Sequence, residues 1–201
     1  MPEIKLDTKT MIFNTALRLF ATSGVENVSM RDIAKMVGIK AASIYNHYMN
    51  KEQIVDSCYD FFLQHHAVGR LNKEQYSIVL REGTKEEIVM IPNGAFPEEL
   101  AENLIYSMTI LFSRVYTDEK AIDYYSKLIQ VSIEFMQEFF QTGIQVGRFQ
   151  DFNIRGVSLL FLSARLFSAQ SISIQPDAFL NWRLAQREMA GELIRILPFA
   201  Y

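Results

Sequence analysis

The chain has 201 residues, of which 49% are apolar and 12% aromatic, a composition that is typical of a packed globular protein and excludes a disordered one. Its formal charge of −3 is distributed unevenly. Lys and Arg outnumber Asp and Glu by seven to five up to Glu52, and are outnumbered by eighteen to thirteen after it. A basic end on an acidic chain indicates that a polyanion would meet the N-terminal part.

The start of the chain and its cysteine content indicate a cellular compartment. The first ten residues, MPEIKLDTKT, are polar and charged and lack the apolar stretch of a secretory signal. The single cysteine, Cys58, has no second cysteine with which to form a disulfide. We therefore expect a cytoplasmic protein in which Cys58 is a small packed side chain.

The first predicted helix begins at Asp7 or Thr8, either of which can cap it, and ends near Gly24. Apolar residues recur in it at spacings of three and four, as expected for a helix with one buried face. They are Ile12, Phe13, Ala16, Leu17 and Phe20.

A second, very short helix is predicted from Ser29 onward, because Ser29 and Asp32 have the spacing of a capping box. Gly38 follows where a left-handed residue would end the helix and turn the chain. The predicted inner face consists of Met30, Ile33, Ala34 and Val37.

The next stretch, KAASIYNHYMNKE, reads as a third short helix packed by Ala41, Ile44 and Tyr48. Two short helices joined by a tight turn form a helix-turn-helix, whose second helix would display Lys40, Ser43, Tyr45, Asn46 and His47. Asn50 and Gln53 cap a fourth helix. Lys51 lies in the first turn of this helix, where a cation is disfavoured by the positive end of the helix dipole. Its position is explained if Lys51 and the free backbone amides of that turn bind the same phosphate.

The run VSMRDIAKMVGIKAASIYNHYMNKEQI, residues 28–54, resembles the DNA-binding segment of the TetR family of transcriptional regulators, and the preceding FNTALRLFATSGVENVS resembles that family's first helix. The resemblance implies an all-α protein. A three-helix DNA-binding domain would occupy residues 1–52, with its helix-turn-helix at about 28–47. A larger helical domain for ligand binding and dimerisation would occupy 53–201, joined by a helix at about 50–69.

The resemblance also implies a function and partners. The protein would be a homodimer that represses transcription from a palindromic double-stranded DNA operator and is released by an unknown small-molecule effector. Residues holding the phosphate backbone would be Ser29, Tyr45, His47 and Lys51, and those reaching base edges would be Lys40, Ala41, Ser43 and Asn46.

Each of these residues also has a purely structural interpretation. Tyr45 could cover the helix junction, His47 could be an ordinary surface histidine, and Ser29 could cap without touching DNA. Asn46 and Met49 depart from the residues that the family usually has at these positions, so the base preference cannot be transferred from relatives.

Helical patterns continue after the helix-turn-helix, with one ambiguous stretch at residues 72–96. YSIVL and IVMIP could be strands, but Thr84 and Glu87 have capping-box spacing and Pro92 would end a short helix, so we favour helices. Pro97 opens a long helix, another spans about 121–145, and Asp177 caps the last, which stops at Pro198.

Residues 156–174 are long and apolar enough to suggest a membrane span, but Arg165, Gln170 and five serines argue against it. The apolar residues occupy two faces and leave a narrow polar stripe containing Ser158 and Arg165. We expect this helix to be buried on both sides and to contribute to the dimer interface with the last helix. The predicted interface residues are Leu159, Leu162, Leu166, Trp182 and Met189.

Aromatic and Met side chains at helical spacing more often form a core than a pocket. Under the resemblance, however, some of them would line the effector cavity. The predicted set is Tyr59, Phe62, His66, Tyr106, Met108, Thr109, Phe112, Tyr125 and Phe135.

The alternative function is a helical metal- or small-molecule-binding enzyme, or an adaptor, that does not bind DNA. Cys58 and His65 could share a helix face beside His66, but two ligands make no catalytic metal site. The sequence contains no HExxH, GxSxG or phosphate-loop motif. We expect no enzyme activity, no metal and no cofactor.

Overall fold

The computed structural model describes residues 7–68, 71–93, 98–174 and 188–200. In these ranges the regular structure is helical apart from one isolated bridge between Phe149 and Phe199, which confirms the all-α prediction. The helices are α1 (Thr8–Ser23), η1 (Val25–Asn27), α2 (Met30–Val37), η2 (Ser43–Asn46), α3 (Lys51–Val68), α4 (Lys73–Glu82), α5 (Lys85–Asn93), α6 (Glu98–Arg114), α7 (Glu119–Gln145), α8 (Ile154–Ile174) and α9 (188–196), where η denotes a 3₁₀ helix.

Local signals predicted the ends of α1 and α2. Asp7 caps α1 by accepting a hydrogen bond from the Thr10 amide, and Gly24 follows the helix with a φ of 81°. Gly38 ends α2 in the left-handed conformation, also with a φ of 81°. Glycine adopts this conformation without the steric cost that other residues incur, so the chain can turn sharply here.

The third predicted helix is shorter than expected, since only Ser43–Asn46 is helical and it is a 3₁₀ helix. Ile44 is fully buried and Tyr48 nearly so, as predicted, but Ala41 is exposed and does not pack inward. The turn after Gly38 and the cap at Asn50 leave few residues for a helix, and Ile, Tyr and Asn are only moderate helix formers.

The chain divides into two compact units, which do not follow the domain boundary predicted at residue 52. The first comprises Met1–His65 and Glu98–Ile122, and the second His66–Pro97 and Asp123–Tyr201. The first unit therefore contains α6 as well as the helix-turn-helix. The assignment of separate DNA-binding and ligand-binding domains stays a prediction.

In the first unit, α1 packs against α2, η1 and α6. The apolar face predicted for α1 is buried at Ile12, Ala16, Leu17 and Phe20, while Phe13 is half-buried and stacks near Phe61 with ring centroids 5.4 Å apart. This packing fixes α2 and α6 on a shared scaffold helix.

The second unit is built on an aromatic core contributed by α4, α5, α7, α8, α9 and the loop between α7 and α8. The ambiguous stretch forms α4 and α5, so the helical interpretation is confirmed, and Thr84 and Glu87 form the predicted capping contacts. The buried residues are Tyr76, Leu80, Ile88, Val89, Met136, Phe139, Phe140, Phe149, Phe161, Leu162, Ala190, Leu193 and Leu197.

The polar stripe of α8 faces inward rather than toward the exposed side of the helix. Ser158 is fully buried and Arg165 is half-buried, its guanidinium donating to the Pro92 carbonyl at 3.2 Å. Leu159 and Leu160 are instead exposed by 43% and 60%. The late carbonyls of α5 lack helical partners and carry negative partial charge, so one of them can accept a hydrogen bond from a buried cation.

The last helix is described only from residue 188, so the predicted cap Asp177 and the predicted interface residue Trp182 lie outside the described residues, as does Pro97. Leu193 and Leu197 are buried in the second unit. Within the described ranges, no helix has both the length and the apolar character to cross a membrane.

Candidate nucleic-acid interface

The capping box at the start of α2 fixes where the helix-turn-helix begins. The Ser29 amide donates to Asp32 Oδ2 at 2.9 Å, and the Asp32 amide donates to Ser29 Oγ at 3.2 Å. The Ser29 hydroxyl also donates to Asp32 Oδ2 at 2.6 Å. These hydrogen bonds from Ser29 lower the pKa of Asp32. A phosphate contact by Ser29 would therefore require its hydroxyl proton to leave the Asp32 carboxylate.

The turn after α2 is held by backbone hydrogen bonds. The Ile39 amide donates to the Ala34 carbonyl at 3.0 Å and the Gly38 amide to the Lys35 carbonyl at 3.2 Å, the pattern of a Schellman motif. A Cβ built on Gly38 meets no atom within 4 Å. The glycine is needed here for its backbone conformation and not for space.

The residues after this turn form the surface that the sequence predicted. Ile44 and Tyr48 anchor it with 0% and 4% exposure. Lys40, Ala41, Tyr45 and Asn46 are exposed, whereas Ser43 and His47 are half-buried. The structure thus brings all of the predicted base-reading residues, together with Tyr45 and His47, to one short segment anchored by two buried side chains.

Lys51 has a partner that the sequence did not predict. Its ammonium donates to the Val25 carbonyl at 2.7 Å, from the first turn of α3 to η1. The side chain is partly buried. Asn50 caps α3 as predicted, accepting from the Gln53 amide at 2.8 Å, while Gln53 accepts from the Met49 amide at 2.7 Å.

Two further cations lie on the outer side of α2 and were missed. Arg31 and Lys35 are exposed, whereas Met30, Ile33 and Ala34 on the same helix are buried. The same apolar spacing that identified the inner face could have identified Arg31 and Lys35 on the opposite one. Arg31 and Lys35 are four positions apart and therefore share one face of α2, where they could contact phosphates.

The residues predicted to line an effector cavity are divided between the two units. Tyr59 is buried, its hydroxyl donating to Asp118 at 3.2 Å, and burial together with that carboxylate raises the pKa of Tyr59. The His66 side chain lies outside the described residues. Tyr59, Phe62, Tyr106, Met108, Thr109 and Phe112 belong to the first unit, and Tyr125 and Phe135 to the second.

A groove of about 610 Å³ lies between α4 and α5, and none of the predicted cavity residues lines it. Its walls are apolar with three glutamates among them. They are Leu71, Ile78, Val79, Glu82, Gly83, Glu86, Glu87, Met90 and Ile91.

The predicted interface residues differ in exposure. Leu159 is exposed, Leu166 and Met189 are half-buried, and Leu162 is only 6% exposed because it packs into the core of the second unit. Leu162 is therefore not available on the surface. Leu160 and Ile196, each 60% exposed, were not predicted.

Cys58 and His65 do not form a site in the structure. Cys58 is fully buried, and burial raises the pKa of its thiol. The His65 ring lies against Phe61 with centroids 4.3 Å apart. Across the described part of the chain, no cluster of three His, Cys, Asp or Glu side chains could hold a metal ion.

Comparison with known proteins agrees with this geometry. Residues 12–58 match the family model for bacterial regulatory proteins of the tetR family. Over 74 residues the chain is 38% identical to IcaR of Staphylococcus epidermidis, the HTH-type negative transcriptional regulator of the biofilm operon icaADBC. That similarity covers 35% of this chain and 39% of IcaR, so less than half of either protein is compared.

Solved structures are similar over nearly the whole chain. PfmR, a TetR family transcriptional regulator from Thermus thermophilus, has a TM-score of 0.67 and 18% identity over 94% of this chain and 96% of its own. The ketosteroid transcriptional regulator KstR2 of Mycobacterium tuberculosis has a TM-score of 0.66 and 17% identity over 96% of each chain. At these identities the similarity shows the fold. The helix-turn-helix segment, residues 12–58, is thus similar to the tetR family of bacterial regulatory proteins, and the chain shares the fold of solved regulators of that family.

Proposed function

We propose that this chain is a sequence-specific DNA-binding transcriptional regulator, acting as a repressor in the cytoplasm without catalytic activity of its own. The observation that carries the proposal is the exposed polar segment after Gly38, anchored by Ile44 and Tyr48 and bordered by Arg31 and Lys35. A repressor role is supported by the similarity of this part to IcaR, itself a negative regulator.

The segment's residues divide by chemistry into two roles. Ser29, Tyr45, His47 and Lys51 hold phosphates, which positions the protein without reading sequence. The others face base edges: a Lys ammonium suits guanine, an Asn amide suits adenine, and an Ala methyl suits the thymine methyl. These base-reading residues are Lys40, Ala41, Ser43 and Asn46.

Selection of bound sequences from random duplexes, with competitor DNA present, tests this division. Asn46→Ala should change the preferred base at one position, because only base contacts discriminate sequences. Tyr45→Ala should weaken binding to all duplexes alike. Gln141→Ala, an exposed change in the second unit, is the control and should do neither. An unchanged selected motif for Asn46→Ala would contradict the assignment of that residue.

Salt dependence tests the phosphate contact proposed for Lys51. Its ammonium has three donors, so the bond to Val25 leaves two for a phosphate. Log affinity falls as log salt rises, and Lys51→Met should make this slope shallower by about one, the amount expected for one lost phosphate contact. An unchanged slope would mean that Lys51 serves only the bond to Val25.

A homodimer is supported by the two adjacent leucines exposed on α8, Leu159 and Leu160. Two-fold symmetry places one patch in both subunits, and two recognition segments in successive major grooves require half-sites about 34 to 36 Å apart or a multiple of that. Leu160→Arg should give monomers that lose operator binding, while Gln141→Arg, an exposed change on α7, should not. Sedimentation showing a wild-type monomer at micromolar concentration would end this proposal.

Release by a small molecule completes the proposal, with α3 as the connection. This helix begins at Lys51 beside the DNA-binding segment and continues unbroken to Val68. A ligand that shifts α3 would compete with DNA without touching it. Driving the population from 1:99 to 99:1 requires a preference of about 10⁴-fold for the state that cannot bind DNA.

A compound library screened for release of a fluorescent operator duplex tests the effector proposal. For any active compound, the duplex must lower the compound's affinity by the same factor that the compound lowers DNA affinity. Ser57→Gly and Gln64→Gly lower the helix propensity of α3 and make it more flexible. The compound and the duplex should both still bind, but each should change the affinity of the other by a smaller factor. Undiminished coupling would mean that the signal travels by another route.

A further inference from the structure

The two ends of the helix-turn-helix are joined to each other. Val25 and Glu26 lie in η1 immediately before it, and Lys51 and Glu52 lie in the first turn of α3 immediately after it. The hydrogen bond from Lys51 Nζ to the Val25 carbonyl, 2.7 Å long, connects these ends directly. The DNA-binding segment is therefore a loop closed at its base.

Arg114, the last residue of α6, binds both ends of this loop. Its Nη1 lies 2.9 Å from Glu26 Oε1 and its Nη2 lies 3.1 Å from Glu52 Oε2. Its Nε donates to Asp118 Oδ2 at 3.0 Å. A guanidinium is planar, with its N–H groups in fixed directions. Because each nitrogen has a different carboxylate partner, both the position and the plane of the group are fixed.

The Arg114 cluster (Arg114, Glu26, Glu52 and Asp118) has one anchored side and one exposed side. Arg114 and Asp118 are each 16% exposed, whereas Glu26 and Glu52 are 82% and 52% exposed. Burial alone would raise the pKa of Asp118, but hydrogen bonds from Arg114 and others outweigh it and lower that pKa. The anchored pair therefore stays ionised, and the glutamates of the helix-turn-helix ends attach to it from outside.

The anchor itself is rigid. α6 packs along α1, and the Asn103 amide donates to the Asn14 side chain at 3.3 Å. A second connection parallels the cluster, since Lys120 Nζ lies 2.6 Å from Asp56 Oδ2 on α3. The end of α6 is thus a fixed point in the same compact unit as the helix-turn-helix.

We propose that Arg114 is a positioning residue for DNA binding. It holds both ends of the helix-turn-helix against the end of α6, so that the position of α6 sets the orientation of the exposed DNA-facing residues. This rests on the proposed DNA-binding function. It adds α6 to α3 as a second element through which a change elsewhere in the chain reaches the DNA-binding surface.

Positioning and simple electrostatics predict opposite results for one pair of substitutions. Glu26→Gln with Glu52→Gln removes two negative charges next to the DNA-binding segment, and charge alone would then make DNA binding tighter. If the carboxylates are needed to fix the segment, the same change makes binding weaker, because the DNA must select one orientation from many. Both glutamates are exposed, so the variant is expected to fold.

A matched control comes from two glutamates in surface ion pairs of the second unit. Glu138 pairs with Lys73 at 2.9 Å and Glu192 with Arg195 at 2.7 Å. Glu138→Gln with Glu192→Gln gives the same change of charge and also breaks two ion pairs. It does so outside the unit that contains the helix-turn-helix.

Affinity for the duplex selected by the wild-type protein is measured by fluorescence anisotropy at one fixed salt concentration. The Glu26→Gln, Glu52→Gln variant should bind about five- to tenfold more weakly, within the usual range of coupling between sites. The control should bind as tightly as wild type or slightly more tightly. Unchanged or tighter binding by the first variant, with its melting curve still cooperative, would overturn the proposal.

A double-mutant cycle distinguishes positioning from general stabilisation. Arg114→Met should weaken binding by at least as much as the glutamate pair, and combining the two should weaken it no further, because all three residues act through one cluster. Additive losses would overturn the proposal. Should Arg114→Met fail to fold, the glutamate pair and its control decide the question alone.

Hydrogen exchange supplies a readout that needs no DNA. Amides of residues 43–48 should exchange faster in the Glu26→Gln, Glu52→Gln variant than in the control, because the segment opens locally more often. If the wild-type protein selects no duplex, the proposed function fails whatever the exchange shows. If it selects one but neither affinity nor exchange changes in the variant, only the role of Arg114 fails.

Discussion

The helix-turn-helix and α8 differ in how well capping signals and apolar spacing predict which side chains are buried. In the first, capping residues, a turn glycine and apolar spacing predicted which side chains are buried, and the structure buries Met30, Ile33 and Ile44. In α8 the pattern predicted the helix but not which side chains face inward within one subunit. Ser158 lies inside and Leu160 outside.

The reason is how many orientations each segment allows. α2 has few apolar residues and they share one face, so only one orientation removes them from water. α8 is apolar on most sides, so its periodicity selects no orientation. The orientation of α8 depends on partners distant in sequence, such as the Pro92 carbonyl, which accepts a hydrogen bond from Arg165.

The largest expected effect tests whether Ser158 of α8 faces the protein interior. Ser158→Glu should lower the free energy of unfolding by about 3 to 5 kcal/mol, because it buries an unpaired charge. Ser163→Glu, on the exposed side of the same helix, should change it by less than about 0.5 kcal/mol. Urea denaturation measures both. Equal, small effects would contradict the buried position of Ser158.

A second test compares Leu162 and Leu160 of α8, since the sequence did not show that the first is buried and the second exposed. Leu162→Ala should cost about 2 to 5 kcal/mol of unfolding free energy, since it leaves a cavity beside Phe161 and its neighbours in the core. Leu160→Ala should cost less than about 1 kcal/mol when measured under conditions where the protein is monomeric, because that side chain is 60% exposed within one subunit. Both need the same protein concentration, because association shifts apparent stability. Similar costs at the two positions would contradict the assigned faces.

What the sequence could predict follows the same division between local and distant causes. The all-α fold, the boundaries of α2 and the exposure of Lys40, Tyr45 and Asn46 depend on neighbours within a few residues, and the sequence showed them. The partner of Lys51 lies 26 positions away, and two of the three partners of Arg114, Glu52 and Glu26, lie 62 and 88 positions away. Spacing carries no information about such contacts. The contacts that hold the candidate site in place were therefore missed although its exposed surface was found.

Gly38 and Gly191 test the same contrast for backbone conformation, because one lies in a left-handed turn and the other within a helix. Gly38→Ala should cost about 1 to 2 kcal/mol, because a φ of 81° brings the new Cβ against its own backbone even though the space around it is empty. Gly191 lies exposed in α9, where a Cβ also meets nothing within 4 Å. Gly191→Ala should stabilise the protein by about 0.5 to 1 kcal/mol. Thermal unfolding gives both signs, and a stabilising Gly38→Ala would contradict the left-handed turn.

The smallest expected effect concerns a local device that occurs in both units, the capping box, found at the starts of α2 and α5. Asp32 of α2 and Glu87 of α5 each accept hydrogen bonds from a capping Ser or Thr, and these bonds lower both pKa values, from ordinary values of 3.8 and 4.5. A carboxylate whose pKa is lower in the folded state stabilises that state above its unfolded pKa. The contribution disappears as the pH falls through the folded pKa.

Asp32→Asn and Glu87→Gln should therefore lower the melting temperature at neutral pH and have no effect at a pH below both folded values. As the pH falls, the difference from wild type should begin to shrink at a higher pH for Glu87 than for Asp32, because the ordinary pKa of glutamate is higher. Melting curves recorded from neutral to strongly acidic pH measure this. A capping box depends on four consecutive residues and on no distant partner. The capping boxes of α2 and α5 should then behave alike, although they lie in different units. A pH-dependent difference at Asp32 but none at Glu87 would mean that even this local signal depends on the surrounding fold.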